Sequence, residues 1–181
     1  MQKNKTMRRI ILASFAFSLL FISCKDEKKT VEVVEDKAFT FTVNAIVKTD
    51  DIFQVFYNED GSETFAPEES VTINVTGSEN PQDLVFNIPA DMSPAALRFD
   101  IGGNKDLKEV AFKSFKIDYK DKTFTAGGAE FFKYFYPNPQ VEFDTVNVVA
   151  KIKIIEGQPY DPIIGSTHVL NAEIAKLYPA N

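Results

Sequence analysis

A two-residue hydrophobic period constrains the fold of this chain more than any other feature. Between Phe39 and Val47 apolar side chains occupy every second position, which is the pattern of a strand with one buried face. Seven further β-rich runs follow, separated by turn-forming clusters of Gly, Asn and Asp. The runs are Ile52–Tyr57, Val71–Val75, Leu84–Ile88, Leu97–Ile101, Val110–Tyr119, Lys122–Thr125 and Val146–Ile155. Strands at this spacing predict an all-β fold, an antiparallel β-sandwich, with a short C-terminal helix at Ala172–Tyr178.

The run Val110–Tyr119 changes phase in its middle. Val110 and Phe112 share one phase, whereas Phe115 and Ile117 occupy the other. One extra residue near Ser114 restores a single buried face, so we predict a β-bulge there. The alternative is a strand that is buried on both faces.

The N-terminal segment has the organisation of a secretory signal. A basic start is followed by an apolar run from Ile10 to Ile22, then by Ser23 and Cys24, the only cysteine. The run has 13 residues, whereas a bilayer span needs about 20. Ser23-Cys24 resembles the lipobox of bacterial lipoproteins, although Phe21 stands where that pattern usually has Leu. The resemblance implies a signal peptide over 1–23 and lipid attachment at Cys24; the alternative is an ordinary secretion signal with a chance cysteine.

The residues after Cys24 are mostly charged. Lys25-Asp26-Glu27 resembles the export signal of Bacteroidota-type lipoproteins, which implies a lipid-anchored position on the outer face of the outer membrane. The composition of 24–37 predicts a flexible tether, and 38–181 would then form the β-sandwich domain.

Charge excludes one class of partner. Residues 1–23 hold four of the 20 basic residues and none of the 26 acidic ones, so the rest of the chain has 16 against 26, a formal net charge of −10. Such a surface repels phosphate backbones, and we predict no nucleic-acid binding. A lipidated Cys24 leaves no thiol for disulfides, catalysis or zinc.

No catalytic motif is present in the sequence. It has no phosphate loop, dinucleotide fingerprint or nucleophile elbow, and its single histidine, His168, has no companion motif. We therefore predict a protein that is not an enzyme. A hydrolase that uses two of the many carboxylates is an alternative, because a glycosidase needs only such a pair.

Two acidic turns offer oxygen ligands for calcium. Asp60 lies in one turn, and Asp100 and Asp106 flank the other. Neither has the EF-hand pattern, and such residues are more typical of turn geometry. We predict no cofactor, with calcium as the alternative.

Phe131–Tyr136 has the densest aromatic composition of the chain, with five aromatic residues in six positions. In a strand, Tyr134 and Tyr136 would share one face, where exposed tyrosines can stack on sugars or anchor a protein partner. Tyr57 and Tyr160 are further candidates. The alternative is that both faces are buried.

The segment Leu97–Gly103, followed by Phe115–Tyr119, resembles part of the carbohydrate-binding-like β-sandwich domains of bacterial envelope proteins. That resemblance implies a jelly-roll-like topology. Together these observations predict a lipid-anchored envelope lipoprotein whose domain is a non-catalytic binding module for a glycan or an envelope protein. The alternatives are a structural or accessory subunit of an outer-membrane complex, and the carboxylate-dependent hydrolase.

Overall fold

The computed structural model describes residues 39–179. The predicted signal peptide, Cys24 and the predicted tether lie outside the described residues. Within them, no helix has the length and apolar character needed to cross a membrane.

The described chain forms eleven strands and two α-helices. The strands are β1 Thr40–Ile46, β2 Asp51–Asn58, β3 Ser70–Val75, β4 Gln82–Asn87, β5 Ala96–Asp100, β6 Glu109–Tyr119, β7 Lys122–Gly127, β8 Phe135–Pro137, β9 Val141–Asp144, β10 Val149–Ile152 and β11 Ile163–Ser166. The helices are α1 Phe131–Tyr134, which follows a 3₁₀ turn at Gly128–Glu130, and α2 His168–Leu177.

The strands form two antiparallel sheets. The first sheet has the order β4-β1-β6-β10-β9, with β7 also paired to β6, and the second sheet has the order β3-β2-β5-β11-β8. Every pairing is antiparallel. The predicted antiparallel β-sandwich with a short C-terminal helix is thus confirmed.

Phenylalanine dominates the core between the sheets. Phe41 on β1 is fully buried, and its ring centroid lies 6.1 Å from those of Phe86 and Phe115 in its own sheet. Across the core it lies 5.9 Å from Phe99 and 6.1 Å from Phe135 of the second sheet. The two-residue period directs these side chains inward, and apolar burial of this kind is the main stabilising contribution in a chain without a disulfide.

The predicted bulge in β6 is confirmed. Asn44 pairs with Ser114, but the next residue of β1, Ala45, pairs with Phe112. Lys113 is therefore the extra residue, and its side chain is exposed. The bulge keeps the apolar side chains on both halves of β6 in the core.

The predicted strand Val146–Ile155 is wrong at both ends. Only Val149–Ile152 is extended, and Val146 lies in the turn that joins β9 to β10, where it is 88% exposed. Asp144 initiates this turn, because its Oδ1 accepts the backbone N–H groups of Val146 and Asn147 at 3.2 and 3.0 Å. β-Forming residues within the turn made it look like part of a strand.

Phe131–Tyr136 does not form one strand, so Tyr134 and Tyr136 do not share a strand face. The first four residues are helical, and only Phe135 and Tyr136 continue into β8. Tyr134 is consequently buried, with its ring 5.6 Å from that of Phe115 and 5.3 Å from that of Phe124. A four-residue helix directly before a short strand leaves too little sequence for either periodicity to show.

The C-terminal helix begins four residues before the predicted start. Thr167 is its N-cap, and the Thr167 Oγ1 accepts the backbone N–H of Leu170 at 3.4 Å. Leu170, Ile174 and Leu177 form the buried stripe of the helix. This N-cap places His168 in the first turn of α2.

Candidate functional site

The four candidate tyrosines differ in exposure. Tyr57 and Tyr134 are 4% and 8% exposed, and both belong to the core. Tyr160 is half-buried and donates a hydrogen bond from its hydroxyl to the carbonyl of Asn104 at 3.1 Å. Tyr136 is 41% exposed, so it is the candidate that offers a ring to a ligand.

The ring of Tyr136 lies across a glycine of the neighbouring strand. Tyr136 on β8 pairs directly with Gly165 on β11. A Cβ at Gly165 would lie 2.5 Å from Cζ and 2.6 Å from the hydroxyl of Tyr136, which is closer than real side chains approach. The missing side chain of Gly165 therefore creates the space that the tyrosine ring occupies.

The row of cross-strand neighbours continues beyond Gly165 on the outer face of the second sheet. Gly165 pairs with Arg98, and Arg98 pairs with Phe56. The Arg98 guanidinium lies 4.7 Å from the Phe56 ring centroid and donates two hydrogen bonds of 2.8 Å to Asp100. Burial raises the pKa of Asp100, and the Arg98 pair opposes this shift.

Tyr136 also lines a cavity at the end of this face, called the Tyr136 cavity below. Its volume is about 300 Å³, and its walls are the loop 61–65 between β2 and β3, the first residues of β5, and the segment 166–171. Small-molecule sites span about 300–1,000 Å³. The Tyr136 cavity therefore suits one ring-sized group better than an extended ligand.

A buried amide holds the loop wall of the cavity in place. Asn58, 5% exposed at the end of β2, donates hydrogen bonds of 2.9 Å from its side-chain nitrogen to the carbonyls of Ser62 and Thr64. Its side-chain oxygen accepts the N–H of Gly61 at 3.0 Å. Asn58 thus satisfies three backbone groups of a loop that has no strand partner of its own.

The opposite wall is fixed by the start of α2. The Ser166 hydroxyl accepts the N–H of Leu97 at 3.0 Å and donates to the Asn171 Oδ1 at 2.6 Å. The Thr167 hydroxyl donates to the carbonyl of Lys133 at 3.1 Å while it caps the helix. Both hydroxyls are occupied by structural bonds, so they position the wall rather than a ligand.

Three polar side chains on the cavity walls keep free hydrogen-bonding capacity. His168 makes no hydrogen bond or ion pair within residues 39–179, and the Asn171 side-chain nitrogen has no acceptor there. Burial first, and then the charge of Glu63, raise the pKa of the Tyr136 phenol. Glu63 lies exposed on the cavity walls and forms no ion pair within residues 39–179, so its carboxylate can accept a hydrogen bond from a ligand.

The three candidate calcium residues have different surroundings. Asp60 accepts the N–H of Ser62 at 2.9 Å, and this bond lowers the pKa of Asp60. Asp100 pairs with Arg98, and Asp106 lies exposed in the turn after β5. Within residues 39–179 no three His, Cys, Asp or Glu side chains are grouped to hold a metal ion.

Sequence reasoning identified Tyr136 but missed the residues around it. It gave no role to Asn58, Glu63 or Gly165, and it found no companion motif for His168. Two weak sequence signals were available. A glycine within a β-rich run can mark a place where another group lies close to the strand backbone. A threonine before an apolar 3.6-residue period, as at Thr167, can mark the start of a helix. The pairing of Gly165 with Tyr136 depends on β8 and β11, neither of which was predicted.

Searches against protein-family models, curated proteins and solved structures found no match for the chain. The fold and the site define a two-sheet antiparallel β-sandwich with a small polar cavity beside an exposed aromatic ring.

Proposed function

We propose that residues 39–179 form a non-catalytic sugar-binding module that lipid at Cys24 holds on the outer face of an outer membrane. One observation carries the proposal: the exposed ring of Tyr136 is held across Gly165 beside a cavity sized for a single ring. An aromatic ring fixed in this way provides an apolar surface for a sugar at small cost in side-chain entropy.

The polar groups around the ring also suit a sugar. Glu63 offers an acceptor, the Asn171 amide nitrogen offers a donor, and the His168 imidazole can do either. Hydroxyl groups of a sugar need such mixed partners because each of them both donates and accepts.

The same lining supports binding over hydrolysis. Glu63 is the carboxylate on the cavity walls, whereas glycosidases of the usual kind need two carboxyl groups facing the scissile bond. Asp100, the carboxylate on the neighbouring row, is already engaged by Arg98.

The binding test is affinity electrophoresis of the chain through gels that contain different polysaccharides. We expect retardation by at least one polysaccharide, and Tyr136→Ala should weaken it about tenfold or more because the stacking surface is lost. Tyr136→Phe keeps the ring and should stay within about threefold of the wild type, since only the phenol hydroxyl is removed. Retardation by none of the polysaccharides, or unchanged retardation of Tyr136→Ala, would refute the proposal.

A glycine substitution tests the ring position without removing the ring. Gly165→Ala places a Cβ into the space that Tyr136 occupies, so we expect binding to fall about as far as in Tyr136→Ala. The matched control is Gly103→Ala, because the nearest atom to its new Cβ is the Asp51 Oδ1 at 4.0 Å. Equal binding by both alanine variants would show that the ring position is irrelevant.

The anchor has its own test. Cys24→Ser should move the protein from the membrane fraction to the soluble fraction and abolish incorporation of labelled fatty acid. Purification of the wild type in mild detergent separates a binding module from an accessory subunit, because a subunit would bring its complex with it. An unchanged membrane fraction for Cys24→Ser would contradict lipid attachment at this residue.

A further inference from the structure

Acidic residues are unevenly distributed along the described chain. From Thr49 to Leu97 the sequence holds ten Asp and Glu residues and no Lys or Arg, whereas from Arg98 to Pro179 it holds eleven of each sign. The excess negative charge of the sandwich therefore belongs to β2, β3, β4 and the loops between them.

This acidic part of the chain supplies one wall of the Tyr136 cavity. The loop 61–65 contributes Glu63, and no lysine or arginine lies on the cavity walls. Within residues 39–179, the five carboxylates of the β2–β3 loop form no ion pair with a basic side chain. The cavity thus lies in a negative potential that repels an anionic ligand.

Glu63 and Tyr136 together suit a positively charged group. Glu63 and the exposed ring of Tyr136 lie on the walls of the same small cavity. An ammonium group on a ring stacked against Tyr136 could reach the Glu63 carboxylate. The face of an aromatic ring also attracts a cation.

We propose that the Tyr136 cavity selects an amino sugar with a free, protonated amine over neutral and anionic sugars. This inference rests on the proposed sugar-binding function and specifies its ligand class. Glu63 is the specificity-determining residue, because acetylation of the amine removes both the charge and the ammonium donors that the carboxylate would accept.

The test compares two ligands that differ in the amine alone. Binding of oligomers of glucosamine and of N-acetylglucosamine of equal length is measured by titration calorimetry at mildly acidic pH. We expect the free-amine form to bind about fivefold to tenfold more tightly, as a partly exposed ion pair allows. Added salt should shrink this ratio.

Two charge-matched variants locate the effect. Glu63→Gln should bring the ratio of the two affinities close to one, because it removes the negative charge that attracts the ammonium group. Glu68→Gln removes the same charge from the same loop but lies outside the cavity walls, so the ratio should persist.

The outcomes separate this inference from the proposed function. Equal affinity for both oligomers, or tighter binding of the acetylated form, overturns the amine selectivity while sugar binding stands. An equal loss of the ratio in Glu63→Gln and Glu68→Gln shows general attraction to an acidic surface and also overturns it. If neither these oligomers nor any polysaccharide in the gels binds, sugar binding itself is refuted.

Discussion

The two ends of β2 each bond a loop through one buried polar side chain, but the two loops have different roles. Each end carries a buried polar side chain that bonds the backbone of a loop: Asp51 at the start, 9% exposed, and Asn58 at the finish, 5% exposed. Asp51 Oδ1 accepts the N–H groups of Gly103 and Asn104 at 2.7 and 3.0 Å. Asn58 bonds the backbone of the loop 61–64 through three hydrogen bonds.

The two loops differ in how closely they pack against neighbouring residues. At the Asp51 end the loop after β5 closes onto the carboxylate so tightly that a Cβ at Gly102 would lie 2.4 Å from the Asp51 Oδ2. At the Asn58 end the loop stands away from the start of α2 and leaves the Tyr136 cavity between them. A cavity of about 550 Å³ also lies beside Asp51 and Gly103, but it is more open and has no aromatic ring on its walls. We therefore assign the Asp51 end to stability and the Asn58 end to the binding site.

The largest expected effect follows from removal of the Asp51 carboxylate. Asp51→Ala leaves two N–H groups of the loop without their acceptor, and we expect the free energy of unfolding to fall by about 3 kcal/mol. Chemical denaturation followed by circular dichroism measures the change.

Asp51→Asn is the matched control for this effect. It keeps one side-chain oxygen for the two loop N–H groups and places the amide nitrogen where Oδ2 has no hydrogen-bond partner. The free energy of unfolding should therefore fall by about half as much as in Asp51→Ala. Sugar binding by the folded fraction should be unchanged in both variants. A cost below about 1 kcal/mol for Asp51→Ala would contradict the role given to the carboxylate.

Asn58→Ala is expected to lower the free energy of unfolding less than Asp51→Ala does, and to weaken sugar binding more. The loop at this end can hydrate its released N–H and C=O groups, so we expect a loss of about 1–2 kcal/mol. Binding should fall about tenfold, because the wall that carries Glu63 is no longer fixed. Hydrogen exchange at residues 61–65 should accelerate while exchange in β6 does not. If exchange at residues 61–65 accelerates but sugar binding is unchanged, the loop wall is not needed for binding. The two ends of β2 would then not differ in function as described.

The sequence predicted the long elements of this fold but not the short ones. β1 to β7 were each located to within two residues at either end, because alternation over five or more residues directs one face inward. The bulge predicted near Ser114, where Lys113 is the extra residue, followed from the same reasoning, since one extra residue restores a single buried face. β8, β9 and β11 have three or four residues each, and their identity as strands comes from pairing with distant partners.

The candidate site was harder to predict for the same reason. Tyr136 stood out by composition, but its role depends on Gly165, which is its neighbour only because β8 pairs with β11. Tyr134 looked equivalent in sequence and is buried by a helix of four residues. A site built from a strand pairing and a loop is therefore not visible in any local pattern.

The smallest expected effect concerns a tyrosine hydroxyl near each end of β2. Tyr160 donates to Asn104 in the loop bound by Asp51; burial and the charge of Asp51 raise its pKa to about 12. Tyr178 donates to the carbonyl of Pro94 at 2.7 Å, and burial, followed by Tyr119 and Glu59, raises its pKa well above the ordinary value of 10.0.

The sign of the pH effect follows from these shifts. A phenol whose pKa is higher in the folded state keeps its proton after the unfolded chain has lost it, so its contribution to stability is complete below pH 10 and declines as the pH rises toward 12. Denaturation at a series of alkaline pH values should show this decline, and Tyr160→Phe should make it shallower. In Asp51→Asn the charge that acts on Tyr160 is absent, so the Tyr160 phenolate should form at lower pH while that of Tyr178 is unaffected. If both tyrosines moved together in a phenolate absorbance titration of Asp51→Asn, the two ends would be coupled through the sandwich, and their separation into a stabilising end and a binding end would be wrong.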